Sequence, residues 1–234
     1  MTDSRPPQSR VALVTTAISA YIRENALGPG DILPSEDSLS KELGVSRTVV
    51  REGLRSLAAM RLIDVNVGRR ARVASLDLNA MSAITVQGYE TGQISVQQIY
   101  DVRRTIEMRT VALAALRRKA AEATLIVGYA RAMLDHIERP DVVMDNDILF
   151  HEAIAEASQN PVFRLIVGAF RGVTQQTWGV SWRSRASDDL RLQSVMNHNA
   201  IAAAIREGDP KCASDLMAAH FDNSVAALIA AGLG

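Results

Sequence analysis

A chain of 234 residues with one cysteine excludes an intramolecular disulfide and is long enough for one large domain or two smaller ones. Hydrophobic residues make up 47%, charged residues 22% and aromatic residues only 4%, a mix that is ordinary for a globular protein and favours helix over sheet. Formal net charge is zero, yet residues 1–75 carry 11 Lys/Arg against 8 Asp/Glu, a modest basic excess that fits a polyanion partner.

Apolar residues at helical spacing, Val11, Val14, Ile18 and Ile22, predict a helix over 9–26, which Gly28-Pro29-Gly30 then breaks. A short helix over 36–43 places Leu39 and Leu43 inward and ends at Gly44. A third helix, over 46–60, opens on Ser46, an N-cap candidate flanked by the staple pair Val45 and Val50. Two short β-prone pieces, 62–65 and 71–73, flank Gly68 and predict a small hairpin. From residue 81 onward the pattern is helical, over 81–91, 95–118, 119–138, 141–158, 161–180, 188–208 and 210–232. The expected fold is mostly α: a winged helix-turn-helix domain over 1–75, with three helices and a hairpin, and a linker over 76–80. An all-α antiparallel bundle of six or seven helices follows over 81–234. No apolar run reaches the ~18–20 residues of a membrane span, and the N-terminus lacks the apolar core of a signal peptide, so a cytoplasmic protein without a membrane partner is expected.

On the third helix Arg47, Arg51 and Arg55 fall at i, i+4 and i+8 and form one basic stripe beside the apolar face. The N-terminal residues of a recognition helix enter the major groove, which places Arg47, Thr48 and Arg51 there. Arginine grips guanine bidentately, and the free N–H groups after Ser46 favour a phosphate. Arg69, Arg70 and Arg72 form a second basic cluster on the hairpin. The alternative for such a stripe is a solvated helix face.

Asp147 and His151 stand four residues apart on one predicted helix face. His198 and His220 each lie 11 residues from Asp209, where Gly208-Asp209-Pro210 turns the chain. In an antiparallel helix pair both histidines then sit at the same height, roughly 16 Å from the turn at ~1.5 Å per residue. Together these four residues make a possible site for zinc, nickel, manganese or iron. Spacing alone leaves the alternative open, since a helical histidine is more often a core or surface residue. His136, at a helix end before Pro140, is expected at the surface, and Cys212 is expected to be a small buried residue. Trp178, Trp182, Arg171 and Gln175 are candidates for either a ligand pocket or ordinary packing.

The run LPSEDSLSKELGVSRTVVREGLRSLAAMRLI resembles the signature of the GntR family of bacterial regulators. The resemblance implies that Ser35, Arg47, Thr48 and Arg51 contact a double-stranded DNA operator, with Gly68 at the wing tip; Ser46 at the helix start and Arg69 and Arg70 on the hairpin are further DNA-contact candidates. Two positions depart from the family pattern. Asp37 stands where an arginine is usual, and Arg70-Ala71 replaces the usual Arg-Gly at the end of the wing. Three further stretches, YDVRRTIEMRTVALAA, DILFHEAIAEASQNPVF and HNAIAAAIREGDPKCASDLMAAHF, resemble the FCD domain of the FadR branch. That resemblance implies a divalent metal, zinc first, on Asp147, His151, His198 and His220, and Arg103 as the arginine that binds an effector carboxylate. The alternative for Arg103 is an outward ion pair with Glu107 four residues on. The implied function is that of a homodimeric, metabolite-responsive regulator, a repressor by family habit and not an enzyme. Its operator affinity would change when a small organic acid binds at the metal. A metal-ion sensor and, further off, a metal-dependent hydrolase are the alternatives.

Overall fold

A computed structural model describes residues 9–185 and 187–232. It holds eleven helices and one two-stranded sheet among those residues, in two compact units, Met1–Ala80 and Met81–Gly234.

In the first unit, α1 (Arg10–Glu24), α2 (Glu36–Leu43) and α3 (Arg47–Ala59) are each opened by a serine. The hydroxyls of Ser9, Ser35 and Ser46 accept from the backbone N–H three residues on, satisfying donors the helix leaves free. Gly44 ends α2 at φ 63°, a left-handed value that costs glycine nothing, and so sets the tight turn into α3. Val14, Ile18, Leu33, Leu39, Val50, Leu54, Leu57 and Ile63 close one buried cluster. Helices α1 and α3 approach so closely that a side chain at Gly53 would collide with Val14. The expected hairpin is β1 (Ile63–Asp64) and β2 (Arg72–Val73), antiparallel with Ile63 opposite Val73. The loop before α2 adds a third rung that the sequence pattern does not announce. Ile32 bridges Arg72, Leu33 N–H donates to Ala71 O, and Gly30 N–H donates to Val73 O.

In the second unit α4 (Leu78–Glu90) begins inside the stretch expected as linker. It is followed by α5 (Val96–Arg117), α6 (Ala120–Asp135), α7 (Pro140–Ala157), α8 (Pro161–Ala169), α9 (Arg171–Ser184), α10 (Asp188–Glu207) and α11 (Pro210–Ala230). The unit therefore has eight helices in place of the six or seven expected, because the helix expected over 161–180 is two. Phe170 closes α8 with a tight turn, its N–H bonding to Val167 O. The chain restarts where Gly172 abuts Val86 and Ser82 of α4, and the Gly172 N–H donates to Ser82 Oγ at 2.9 Å. That break is set by packing between distant segments, which hydrophobic periodicity does not carry.

Helix α5 packs on α11 and α7, and α10 packs on α6 and α11. Phe150, Ile126, Met133, Ile154, Ile201, Ile205, Met217 and Phe221 fill the space between them. Gly208, at φ 79°, ends α10, and Asp209 caps α11 with its carboxylate on the Cys212 N–H while Pro210 takes the first helical position. This fixes α10 and α11 as the expected hairpin. Cys212 itself is exposed, contrary to expectation. It lies in the outward part of the first turn of α11, and the buried face of that helix begins one residue later with Ala213 and continues at Met217.

Candidate functional site

Three helices bring the four predicted metal ligands together. Asp147 and His151 come from the inner face of α7, His198 from α10 and His220 from α11, and all four are buried. One ligand nitrogen from each histidine can be chosen so that all three lie within 4.8 Å of one another. Asp147 Oδ1 stands 2.7 Å from His198 Nε2 and 3.9 Å from His151 Nε2. Atoms bonded ~2.1 Å from one ion stand no more than ~4.2 Å apart, so a contraction of less than ~1 Å would close this group on a single cation.

The orientation of each ring is fixed from behind. His151 Nδ1 pairs with Glu107 Oε2, and His198 Nδ1 donates to the Ser194 carbonyl at 2.8 Å. Both Nε2 lone pairs therefore point into the cluster. His151 Nε2 is buried with no hydrogen-bond partner among the described residues, and an imidazole acceptor left bare in this way carries a desolvation cost unless a cation meets it. His198 Nε2, with its proton on Nδ1, meets only another acceptor in Asp147 Oδ1. Two acceptors at 2.7 Å call for a shared proton or a shared cation. Phe150 lies edge-on to both rings and holds them in place.

The charges agree with this arrangement. Burial holds the His220 imidazole well below its ordinary pKa, and the neighbouring His198 and His151 add to that effect, so the ring is uncharged at neutral pH. Burial would raise the carboxyl of Asp147, but the close approach of His198 Nε2, as the site of a shared proton, and the surrounding imidazoles outweigh that and hold it well below the usual carboxylate range. Burial likewise opposes ionisation of Glu107, and Arg103 together with His151 brings it down to about 2. One ionised carboxylate, Asp147, beside three imidazoles is a donor set that suits a divalent cation.

Arg103 faces inward, where the alternative had it outside. It is buried on α5, its Nε donates to Glu107 Oε1 at 2.8 Å, and its Nη1 donates to Thr174 Oγ1 at 3.1 Å. Its guanidinium also packs over the rings of Tyr100 and Phe221. The Glu107 pairing expected as an alternative thus exists, but as part of the centre: one carboxylate neutralises Arg103 and aims His151. Arg103 and all four ligand candidates line one small chamber with a cavity volume of about 30 Å³. Trp178 and Trp182 of α9 stack at 4.9 Å and form part of its wall. Arg171 instead pairs with Glu152 at 2.7 Å, and Gln175 is exposed. His136 is exposed at the end of α6, as expected. The site residues that sequence reasoning did not single out are Glu107 as the carboxylate behind His151, Ser194, and Arg185 in the chamber wall. Ser194 carries a readable signal, since a carbonyl four residues before a helical histidine is within reach of its ring. Arg185 lies in a stretch that reads only as a helix break.

In the first unit the expected operator contacts Ser35, Ser46, Arg47, Thr48, Arg51, Gly68, Arg69 and Arg70 are all exposed. Arg47, Thr48 and Arg51 are exposed at the start of α3. Arg47 Nε pairs with Asp37 Oδ1 at 3.0 Å and Arg51 Nη2 with Glu36 Oε2 at 3.2 Å, so the basic stripe is screened by acids from the start of α2. Gly68 turns the wing at φ 71°. Arg69 is exposed beside it. Arg70 turns back, and its Nε and Nη2 donate to the Leu33 carbonyl at 3.0 and 2.6 Å, tying the wing to the loop before α2.

Residues 12–73 match the description "Bacterial regulatory proteins, gntR family" and residues 98–223 match the FCD domain. The chain is 28% identical over 206 residues to the HTH-type transcriptional regulator LutR of Bacillus subtilis, covering 86% of this chain and 93% of that protein. It is 28% identical over 188 residues to the galactonate operon transcriptional repressor of Escherichia coli, covering 77% and 80% respectively. It is also 28% identical over 227 residues to the HTH-type transcriptional repressor NanR of Citrobacter rodentium, covering 92% and 83%. A solved GntR protein of Streptococcus agalactiae shares the fold, with a TM-score of 0.69 at 22% identity over 91% of this chain and 97% of that one. No helix among the described residues is long and apolar enough to cross a membrane. The chain belongs to the GntR family of bacterial regulatory proteins, in the branch whose second half is an FCD domain, and is a DNA-binding transcription regulator and not an enzyme.

Proposed function

We propose that this regulator is a homodimeric repressor whose affinity for a double-stranded operator is set by a small organic acid bound at a divalent metal in the FCD domain. Asp147, His151, His198 and His220 would hold the ion, with zinc the first expectation and nickel, manganese or iron the alternatives. One observation carries the reading: the buried Nε2 of His151 has no hydrogen-bond partner among the described residues, while its Nδ1 is held by Glu107, so the ring is oriented toward a ligand that these residues do not supply. When bound, the ion supplies positive charge and open coordination positions for a carboxylate oxygen. The chain's own groups do the rest. Glu107 and Ser194 aim the imidazoles, and Arg103 and the stacked tryptophans line the chamber.

An acid sensor is favoured over a metal-ion sensor because the chamber keeps space beside the ligand group and an arginine in its wall, neither of which a metal alone needs. A relative named for a galactonate operon fits an acid as the signal. For the operator, Ser35, Ser46, Arg47, Thr48, Arg51, Gly68 and Arg69 form the reading face, and Arg70 acts by holding the wing. The effector must bind one arrangement of the dimer more tightly than another, with a coupling of about 1–3 kcal/mol.

The test is a thermal-shift screen of organic acids on the full chain, with and without chelator, followed by operator titration. An acid that raises Tm only in the metal-loaded protein and shifts operator affinity is the expected result. A protein that binds no divalent ion above background overturns it.

A further inference from the structure

The chamber alone takes only the carboxylate end of an acid. At about 30 Å³ it has room for a water molecule or two beside an ion, not for the carbon skeleton of an acid. A second cavity, about 260 Å³ and open to solvent, adjoins it, and Arg185 and Ser194 belong to the walls of both. Leu190 and Gln193 of α10 and Asn223 and Ala227 of α11 form the sides of this outer cavity. Arg185 is therefore common to the walls of both cavities.

The two arginines of the chamber are in unlike states. The charge of Arg103 is met by Glu107 at 2.8 Å. Arg185, half-buried at the end of α9, has only neutral partners: Nη1 donates to the Ser181 carbonyl at 2.8 Å and to Ser181 Oγ at 3.1 Å. Among the described residues it forms no ion pair, and no hydrogen bond uses its Nε or Nη2. Burial lowers its pKa, with Asp147 and Tyr100 pulling the other way across the chamber. A guanidinium held out of water without a carboxylate is costly, and its planar fork matches an oxyanion better than any neutral group.

We infer that the effector is a two-ended acid: one carboxylate lies at the metal centre beside Arg103, and a second anionic group is gripped by Arg185, with the outer cavity as the mouth through which the molecule enters. This rests on the metal-centre reading above and goes beyond it by naming the substrate class. The distance from the ligand group to Arg185 then selects chain length, and the apolar sides of the mouth tolerate carbon substituents. Arg185 is the specificity residue and Arg103 the general one.

The probes are the dicarboxylates succinate, glutarate and adipate, each against the monocarboxylate of the same carbon number, butyrate, valerate and caproate. Binding to the zinc-loaded full chain is measured by calorimetry. At least one dicarboxylate should bind about tenfold or more tighter than its partner, the effect of one charge-assisted hydrogen-bonded pair. Arg185→Gln should bring that ratio below about threefold with the monocarboxylate affinity unmoved, and Arg185→Lys should restore only part of it. Equal affinity for both acids in every pair overturns the inference, as does an Arg185→Gln loss shared equally by mono- and dicarboxylates. Metal content read on the same samples separates the two levels: a wild-type chain that holds neither zinc nor nickel, manganese or iron sinks the metal-centre reading itself, whereas metal retained with no preference for a second charge sinks only this one.

Discussion

Glu107 serves Arg103 and His151 at once, one carboxylate oxygen on each, with all three side chains buried. The pairing with Arg103 is a buried ion pair, and that with His151 is the carboxylate–imidazole contact that fixes a ligand ring and raises its basicity. Glu107→Gln keeps the shape and removes the charge. Metal affinity should fall about 10–100-fold in a chelator competition. The metal-free protein should also lose about 3 kcal/mol of stability to denaturant, because Arg103 is left uncompensated. An unchanged metal affinity would refute the role given to Glu107.

His198→Ala removes one ligand and the partner of Asp147 while leaving the α10–α11 hairpin caps intact. Elemental analysis should show metal reduced to background after dialysis. Far-UV circular dichroism should show the helix content of the wild type, since the capping by Asp209 and the Ile201 and Ile205 contacts persist. Full metal occupancy in this variant would mean that the imidazoles do not act together.

The convergence of Asp147, His151, His198 and His220 was readable because these residues sit on marked elements. His198 and His220 flank a turn whose Gly-Asp-Pro sequence punctuates two helices, so equal spacing from Asp209 becomes equal height, and the rings come to 4.6 Å. Asp147 and His151 share a face by helical period alone. The direction of Arg103 was not readable, because an i, i+4 pair with Glu107 has the same spacing whether it faces water or the core. Nor was the break at Phe170, which depends on Gly172 meeting α4, or the third rung at residues 30–33, whose partners lie some forty residues away in the wing. Cys212 shows the same limit: composition places cysteine inside, while its position in the first turn of α11 places it outside.

Acid should destabilise the metal-free protein in two stages. His220 has its folded pKa lowered, so below its unfolded value near 6.5 the unfolded chain binds a proton the folded one refuses, and stability drops as pH falls. Glu107 is lowered from 4.5 to about 2, so its contribution is fully present above pH 4.5 and is lost as pH falls through that window toward 2. Urea unfolding of the chelator-treated full chain at stepped pH should show both declines. The His220→Asn variant should lack the first, and a curve flat from pH 7 to 5 in the wild type would contradict the burial argument.

The acids at the start of α2 act on the operator face in a direction that distinguishes them from the arginines they cover. Arg51→Ala removes a groove contact and should weaken operator binding by about 1–3 kcal/mol, roughly 5–150-fold, with effector binding unaltered. Asp37→Asn should do the reverse. Asp37 and Arg47 are both more than half exposed, so their pair is worth little to folding, about 0–1 kcal/mol. Releasing Arg47 and deleting a negative charge beside the phosphates should therefore tighten operator binding a few-fold at constant stability. The salt dependence should steepen by about one unit of slope, because one more cation meets the backbone. Fluorescence anisotropy with operator DNA at several salt concentrations reads both quantities. If Asp37→Asn weakens binding or leaves the salt slope unchanged, Arg47 does not reach the DNA, and the start of α3 is not the element that lies in the groove.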